Sequence, residues 1–198
     1  MPAGRHWSCA HRLWSTLLGI GVPHCRRPIT TGPSRPHQIG FGLGSVWVSA
    51  GNAGTVVRID PANNEIQAAI PVPAGVSACS GFAIGTAVWM PSCADSLRMA
   101  RIDLVSNTAA ASIFLSGYGG DPIFIDDAPW LTVNKTDQPG DEATILVRVN
   151  PATNQIDRRI SLDPIYSNSN LVVAEGYVWL ADYANDRLVR IPLSALTP

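Results

Sequence analysis

Four tryptophans recur at nearly constant spacing along this chain of 198 residues. Successive tryptophans are 42, 41 and 49 residues apart, and each is followed after a short interval by an arginine and an aliphatic residue. A period of this size indicates a stack of one repeated supersecondary unit, because each copy buries its apolar face against its neighbours. The tryptophans are Trp47, Trp89, Trp130 and Trp179, and the arginines are Arg58, Arg101, Arg148 and Arg190.

Alignment on the tryptophan predicts four short β-strands in each repeat. The first strand ends at a two-residue turn, and the second strand carries the tryptophan. The third strand ends in the arginine pair, after which a turn rich in Asp, Pro and Asn leads into a fourth strand. The turns predicted between the first and second strands are Leu43-Gly44, Gly85-Thr86, Asp126-Asp127 and Glu175-Gly176.

A four-stranded antiparallel meander that returns at this period is a blade of a β-propeller. We therefore predict an all-β fold of about four blades, part of a larger propeller in preference to a four-bladed ring, with the four tryptophans packed between blades. The matching arginines are predicted to lie on blade surfaces, their stems covering apolar neighbours, in preference to an anion-binding ring. The predicted blades are residues 38–75, 76–116, 117–163 and 164–198, the last without its fourth strand.

Residues 1–37 differ from the repeats in composition. They carry five arginines, no acidic residue and all four histidines of the chain. We predict a disordered extension and linker, in preference to a secretion signal or a zinc site built from Cys9, His11, His24 and Cys25. Residues 38–198 carry nine Lys and Arg against all fifteen Asp and Glu, a net charge of −6 that is a poor match for nucleic acid.

Two cysteines flank the first hairpin of the second blade. Cys79 precedes the first strand and Cys93 follows the second, so the turn at Gly85-Thr86 brings them opposite each other within one position. The sequence therefore allows a disulfide, and the alternative is two buried free thiols.

Polar residues collect where a propeller places the loops between its second and third strands. The third blade has the longest such loop, because 18 residues separate Trp130 from Arg148 where the other blades use 11 or 12. Long loops on rigid scaffolds often bind ligands. Candidate binding residues on this face are Asn52, Asp95, Lys135, Asp137, Asp141, Glu142, Asp182 and Asp186.

We expect no cofactor and identify no catalytic residue. Asp95, Asp121, Asp182 and Asp186 share the same face, so Ca²⁺ or Mg²⁺ at its centre is a possible alternative to solvated loop aspartates. Asp126 and Asp127 are adjacent carboxylates, but the alignment places them in a hairpin turn on the opposite face. No stretch reaches the roughly 18 apolar residues of a membrane span.

The sequence of the repeat resembles that of the YVTN/YncE-type and virginiamycin-B-lyase-like propellers. The matching motif is G-S-V-W-V followed by R-I-D-P-A-x-N-x-I. The resemblance covers residues 38–198 and implies blades of a ring that usually has six to eight. It also implies a disulfide between Cys79 and Cys93, since secreted members carry a similar pair, and hence an extracytoplasmic location. The lyases use Mg²⁺ and a histidine base, whereas residues 38–198 contain no histidine.

These observations predict a non-catalytic propeller scaffold whose loop face binds a protein, a peptide or a glycan. The alternative is a metal-dependent lyase or hydrolase of the propeller type. An incomplete ring would also leave apolar blade faces and strand edges uncovered, which predicts self-association.

Overall fold

The computed structural model describes residues 29–31, 35–51, 54–93, 97–135, 144–163, 165 and 171–196. The chain divides into two compact units, Met1–Thr30 and Thr31–Pro198. Nearly all of the first unit, with the zinc-site and secretion-signal candidates, lies outside the described residues. No helix in the described ranges is long and apolar enough to cross a membrane.

The described strands of the second unit form four antiparallel sheets, each a meander in chain order. This confirms the all-β fold built of antiparallel blades. Blade 1 consists of β1 (Pro36–Gly42), β2 (Ser45–Ala50), β3 (Thr55–Asp60) and β4 (Glu65–Pro71). Blade 2 consists of β5 (Ala83–Ile84), β6 (Val88–Pro91), β7 (Arg98–Asp103) and β8 (Thr108–Phe114).

Blades 3 and 4 follow the same order with two differences. In blade 3 a short additional strand, Tyr118–Gly119, pairs with the tryptophan-bearing strand beyond the end of the inner strand. The sheet of blade 4 has three strands. Blade 3 consists of β9 (Tyr118–Gly119), β10 (Ile123–Ile125), β11 (Ala128–Asn134), β12 (Ile145–Asn150) and β13 (Gln155–Ser161). Blade 4 consists of β14 (Val172–Ala174), β15 (Tyr177–Asp182) and β16 (Arg187–Pro192).

Three of the four predicted hairpin turns have two central residues, both with positive φ. These are Leu43-Gly44 at 55° and 70°, Asp126-Asp127 at 45° and 60°, and Glu175-Gly176 at 51° and 78°. Two positive φ angles define a type I′ turn, whose twist matches that of the flanking strands.

The two-residue turn predicted at Gly85-Thr86 is wrong. Ile84 pairs with Val88, so the loop has three residues, and neither Gly85 nor Thr86 has a positive φ. A tertiary contact accompanies the longer loop, because the ring of Phe124 from blade 3 lies against Gly85 where a side chain would begin. If the register of Ile84 and Val88 is continued along both segments, residue 79 lies opposite residue 93.

The turn between the third and fourth strands is also repeated. Its last residue is Asn64, Asn107 or Asn154, with φ of 62°, 52° and 57°, the left-handed conformation that asparagine tolerates. In blades 1 to 3 the ladder that follows carries one bulge directly after the arginine, at Arg58, Arg101 and Arg148. A bulge bends the strand and strengthens its local twist.

The core consists of three apolar clusters, each between consecutive blades. Trp47 faces blade 2, Trp89 faces blade 3 and Trp130 faces blade 4, and all three are at most 2% exposed. Across the strands, each tryptophan pairs with the repeated arginine, as Trp47 does with Arg58. In the described residues no such cluster joins blade 4 to blade 1.

Candidate binding face

The loop face of this propeller is formed by two sets of segments. One set joins the second strand to the third within a blade, and the other joins one blade to the next. Of the predicted binding residues, Lys135 and Asp186 are exposed here and Asp182 is buried. The others, Asn52, Asp95, Asp137, Asp141 and Glu142, lie outside the described residues.

Asp182 anchors the loop of blade 4. It ends β15 and is 1% exposed, and the short 3-10 helix Tyr183–Asn185 follows it. The Nδ2 of Asn185 donates to both carboxylate oxygens at 3.0 and 2.9 Å, and the Nε of Arg187 donates to one of them at 2.7 Å. Because these donors surround the carboxylate, Asp182 holds the loop in shape and presents Asp186, whose φ is 51°.

A second buried link closes the base of the long loop of blade 3. Asn134 ends β11, and Thr144 precedes β12 at the other end of the loop. The hydroxyl of Thr144 donates to the Oδ1 of Asn134 at 2.7 Å, and both residues are at most 2% exposed. The backbone of Thr144 also bonds to Leu162 and Ile165 of the following connection. The backbone next to Lys135 is therefore held in a fixed position.

The predicted disulfide between Cys79 and Cys93 is present, with Cα atoms 5.6 Å apart. It ties the connection between blades 1 and 2 to the loop of blade 2. The hydroxyl of Ser92 accepts a hydrogen bond from the N–H of Ser77 at 3.0 Å beside it. Gly51, which begins the loop of blade 1, lies against the disulfide, since a Cβ there would stand 3.6 Å from the Cβ of Cys79.

Asp121 links blade 2 to blade 3 near their inner strands. Its Oδ1 accepts a hydrogen bond from the N–H of Gly81 at 2.8 Å. A Cβ at Gly81 would lie 2.8 Å from the carboxyl carbon of Asp121, so the approach requires glycine. Asp121 was predicted as a possible metal ligand, and in this position it bonds to the neighbouring blade.

The buried hydrogen bonds on this face hold the loops in position. Among the described residues, no group of three His, Cys, Asp or Glu side chains comes together as metal ligands would. Asp126 and Asp127 occupy the turn between β10 and β11, at the opposite end of the blade. Sequence reasoning missed Asn134, Thr144, Asn185 and Arg187 as loop anchors. The signal that the sequence carried is their position, because all four stand in or directly beside the loops between the second and third strands.

No family model and no curated protein matches this chain. Solved structures do match it in fold. The virginiamycin B lyase of Staphylococcus aureus shares 18% identity at a TM-score of 0.62, covering 84% of this chain and 55% of that one. Hydrazine synthase of Kuenenia stuttgartiensis shares 13% at 0.56, covering 87% and 53%. BamB of Moraxella catarrhalis shares 13% at 0.58, covering 77% and 41%.

These likenesses and the four blade sheets make the chain a β-propeller protein. At such low identity they define the fold alone. The chain spans about half the length of the three solved structures.

Proposed function

We propose that this chain is a non-catalytic propeller scaffold whose loop face binds a protein, a peptide or a glycan. The observation that supports it is where buried polar side chains occur. Such groups are costly to bury and are kept where their hydrogen bonds fix a geometry. Of the eight described, four stand at the base of the loop face and make side-chain hydrogen bonds there: Ser92, Asn134, Thr144 and Asp182.

In a scaffold of this kind the blades provide rigidity and the loops provide recognition. The strands pack against neighbouring blades through apolar clusters, and the polar anchors hold the bases of the loops. Loops fixed at both ends lose less conformational entropy on binding than free ones. The absence of histidine from residues 38–198 removes the base that the lyase reaction would need.

The disulfide supports an extracytoplasmic location, because such bonds persist in oxidising compartments. This proposal is tested by the redox state of the two cysteines in protein recovered from its native compartment. Free thiols there would contradict it.

Two acidic residues on opposite faces provide a matched test of the binding proposal. Asp186 on the loop face and Glu175 in the β14–β15 turn are both exposed and share a φ of 51°. The wild-type protein is screened against a displayed random peptide library and a glycan array. We expect Asp186→Lys to weaken the selected binders at least tenfold and Glu175→Lys to leave them unchanged.

Two outcomes would contradict the proposal. One is a set of binders that both variants weaken equally, and the other is an absence of specific binders. The metal-dependent alternative is tested by thermal melting with millimolar Ca²⁺ or Mg²⁺ and with EDTA. A melting midpoint that rises with the metal and falls with EDTA would favour the metal-dependent alternative.

A further inference from the structure

The repeated arginine of blade 1 has hydrogen-bond acceptors in its own blade and in the next. Arg58 donates from Nε to the hydroxyl of Ser45 at 2.9 Å. One of its terminal nitrogens donates to the carbonyl of Leu104 at 3.2 Å and to the Oδ1 of Asn107 at 3.0 Å, in the outer turn of blade 2. The guanidinium is thereby held in place between the two blades.

The repeated tryptophan of blade 1 also has an acceptor. The Nε1 of Trp47 donates to the carbonyl of Gly42 at 3.1 Å, and Trp179 of blade 4 donates to the carbonyl of Ala174 in the same way at 3.2 Å. Gly42 is the ladder partner of Ser45. In blade 1 the acceptor of the indole and the acceptor of the arginine Nε therefore belong to paired residues and lie side by side.

Blade 2 lacks both of these acceptors. Ala87 stands two positions before the tryptophan, where blade 1 has a serine, so the hydroxyl is missing. The inner turn of blade 2 is one residue longer, because Ile84, five positions before Trp89, pairs with Val88. The carbonyl of Ile84 is therefore shifted by one register position from the place that Gly42 occupies in blade 1.

Three polar atoms at the contact between blades 2 and 3 have no hydrogen-bond partner among the described residues. They are the Nε1 of Trp89, the Nε of Arg101 and the Oδ1 of Asn154, and all three are shielded from solvent. The guanidinium carbon of Arg101 lies 5.5 Å from the ring centroid of Trp89, so the two donors belong to side chains in contact. Asn154 ends the outer turn of blade 3 as Asn107 ends that of blade 2, with φ of 57° and 52°.

We propose that the contact between blades 2 and 3 contains a buried water site. The water accepts hydrogen bonds from the N–H groups of Trp89 and Arg101, in place of the carbonyl and the hydroxyl of blade 1. Its own hydrogen donates to the Oδ1 of Asn154. Buried waters make about three hydrogen bonds to groups that otherwise lack partners, which is the number available here.

The combination of two donors with one acceptor favours water over an anion. The charge of Arg101 attracts an anion, and two N–H groups could bind one. An anion has no hydrogen to donate, however, and it would leave the Oδ1 of Asn154 without a partner beside a second negative charge. The surroundings are apolar, with Ala87 and Val149 fully buried in the cluster between the two blades, so the water is confined to these polar atoms.

The first test is a high-resolution crystal structure of the full chain. We expect a water oxygen within about 2.7–3.2 Å of both the Nε1 of Trp89 and the Nε of Arg101. An absence of density there would overturn the proposal. So would an anomalous peak at this position after a bromide soak, since that would identify an anion site.

The second test counts long-lived internal waters in solution by magnetic relaxation dispersion of the solvent. Ala87→Ser restores the hydroxyl that blade 1 has, so this variant should hold one water fewer than the wild type. Ala128→Ser is the matched control, because Ala128 is the equivalent, fully buried residue of blade 3, and it should leave the count unchanged. Circular dichroism establishes that each variant folds. An equal count in the wild type and Ala87→Ser would contradict the site, and the wild-type crystal structure decides if Ala87→Ser does not fold.

Discussion

The guanidinium of Arg58 lies 5.3 Å from the ring centroid of Trp47, its partner across the strands β2 and β3. The same stacking occurs between Arg101 and Trp89 at 5.5 Å. Arg58 also donates from Nε to the hydroxyl of Ser45 at 2.9 Å and reaches the turn of blade 2. The side chain of Arg58 therefore covers the tryptophan of its own blade and links that blade to the next.

We expect Arg58→Ala to destabilise the protein by about 1–3 kcal/mol, because it removes a cation–π contact and several hydrogen bonds. Arg58→Lys should recover part of the loss, since an ammonium cannot replace the planar fork of donors. The measurement is urea unfolding. The control is Arg159→Ala on the exposed outer strand of blade 3, and an equal loss there would contradict this role.

The disulfide should stabilise the protein by about 3 kcal/mol, the value expected for closing a loop of this length in the unfolded chain. Replacing both Cys79 and Cys93 with serine should lower the free energy of unfolding by that amount. The wild type should lose the same stability in reductant, and the double variant should not respond to reductant. A reductant effect on the double variant would locate the sensitivity elsewhere.

The repeat predicted the fold well because its signals are local. The tight turns at Leu43-Gly44 and Glu175-Gly176 are signalled by the glycine of each pair, which suits positive φ, and the asparagine of the outer turn suits it as well. The three-residue loop at Gly85 was missed, since the contact with Phe124 comes from another blade. The link from Gly81 to Asp121 spans 40 residues and leaves no local pattern. The candidate site was less predictable for the same reason.

Gly85→Ala should destabilise the protein by about 1–3 kcal/mol, the usual cost of overpacking. A Cβ there would lie 2.7 Å from the Cδ1 of Phe124, so the ring of blade 3 must move. Gly51→Ala is the control, because its Cβ would meet its neighbours at 3.6 Å or more. Adding Phe124→Leu to Gly85→Ala should relieve part of the loss. Additive losses in thermal unfolding would contradict the contact.

Asp103 should titrate below its ordinary pKa of 3.8. The N–H of Ser106 is the largest cause and its hydroxyl the second, each donating to the carboxylate at 2.8 Å and so lowering the pKa. Because the folded pKa is depressed, the stabilisation is complete above the unfolded value and is lost as pH falls through the folded one. NMR titration should show Ser106→Ala raising the pKa of Asp103. No change would assign the shift to the backbone alone.

Arg187→Ala should destabilise the loop of blade 4 through the charge that it leaves behind. The side chain of Asp182 is fully buried whereas that of Arg187 is 51% exposed, so water screens one partner and not the other. We expect a loss of about 2 kcal/mol, less than for a fully buried pair. In the Asp182→Asn background the same substitution should cost much less, since no buried charge remains. A double-mutant cycle by urea unfolding measures this coupling, and a coupling near zero would mean that Arg187 does not stabilise the carboxylate.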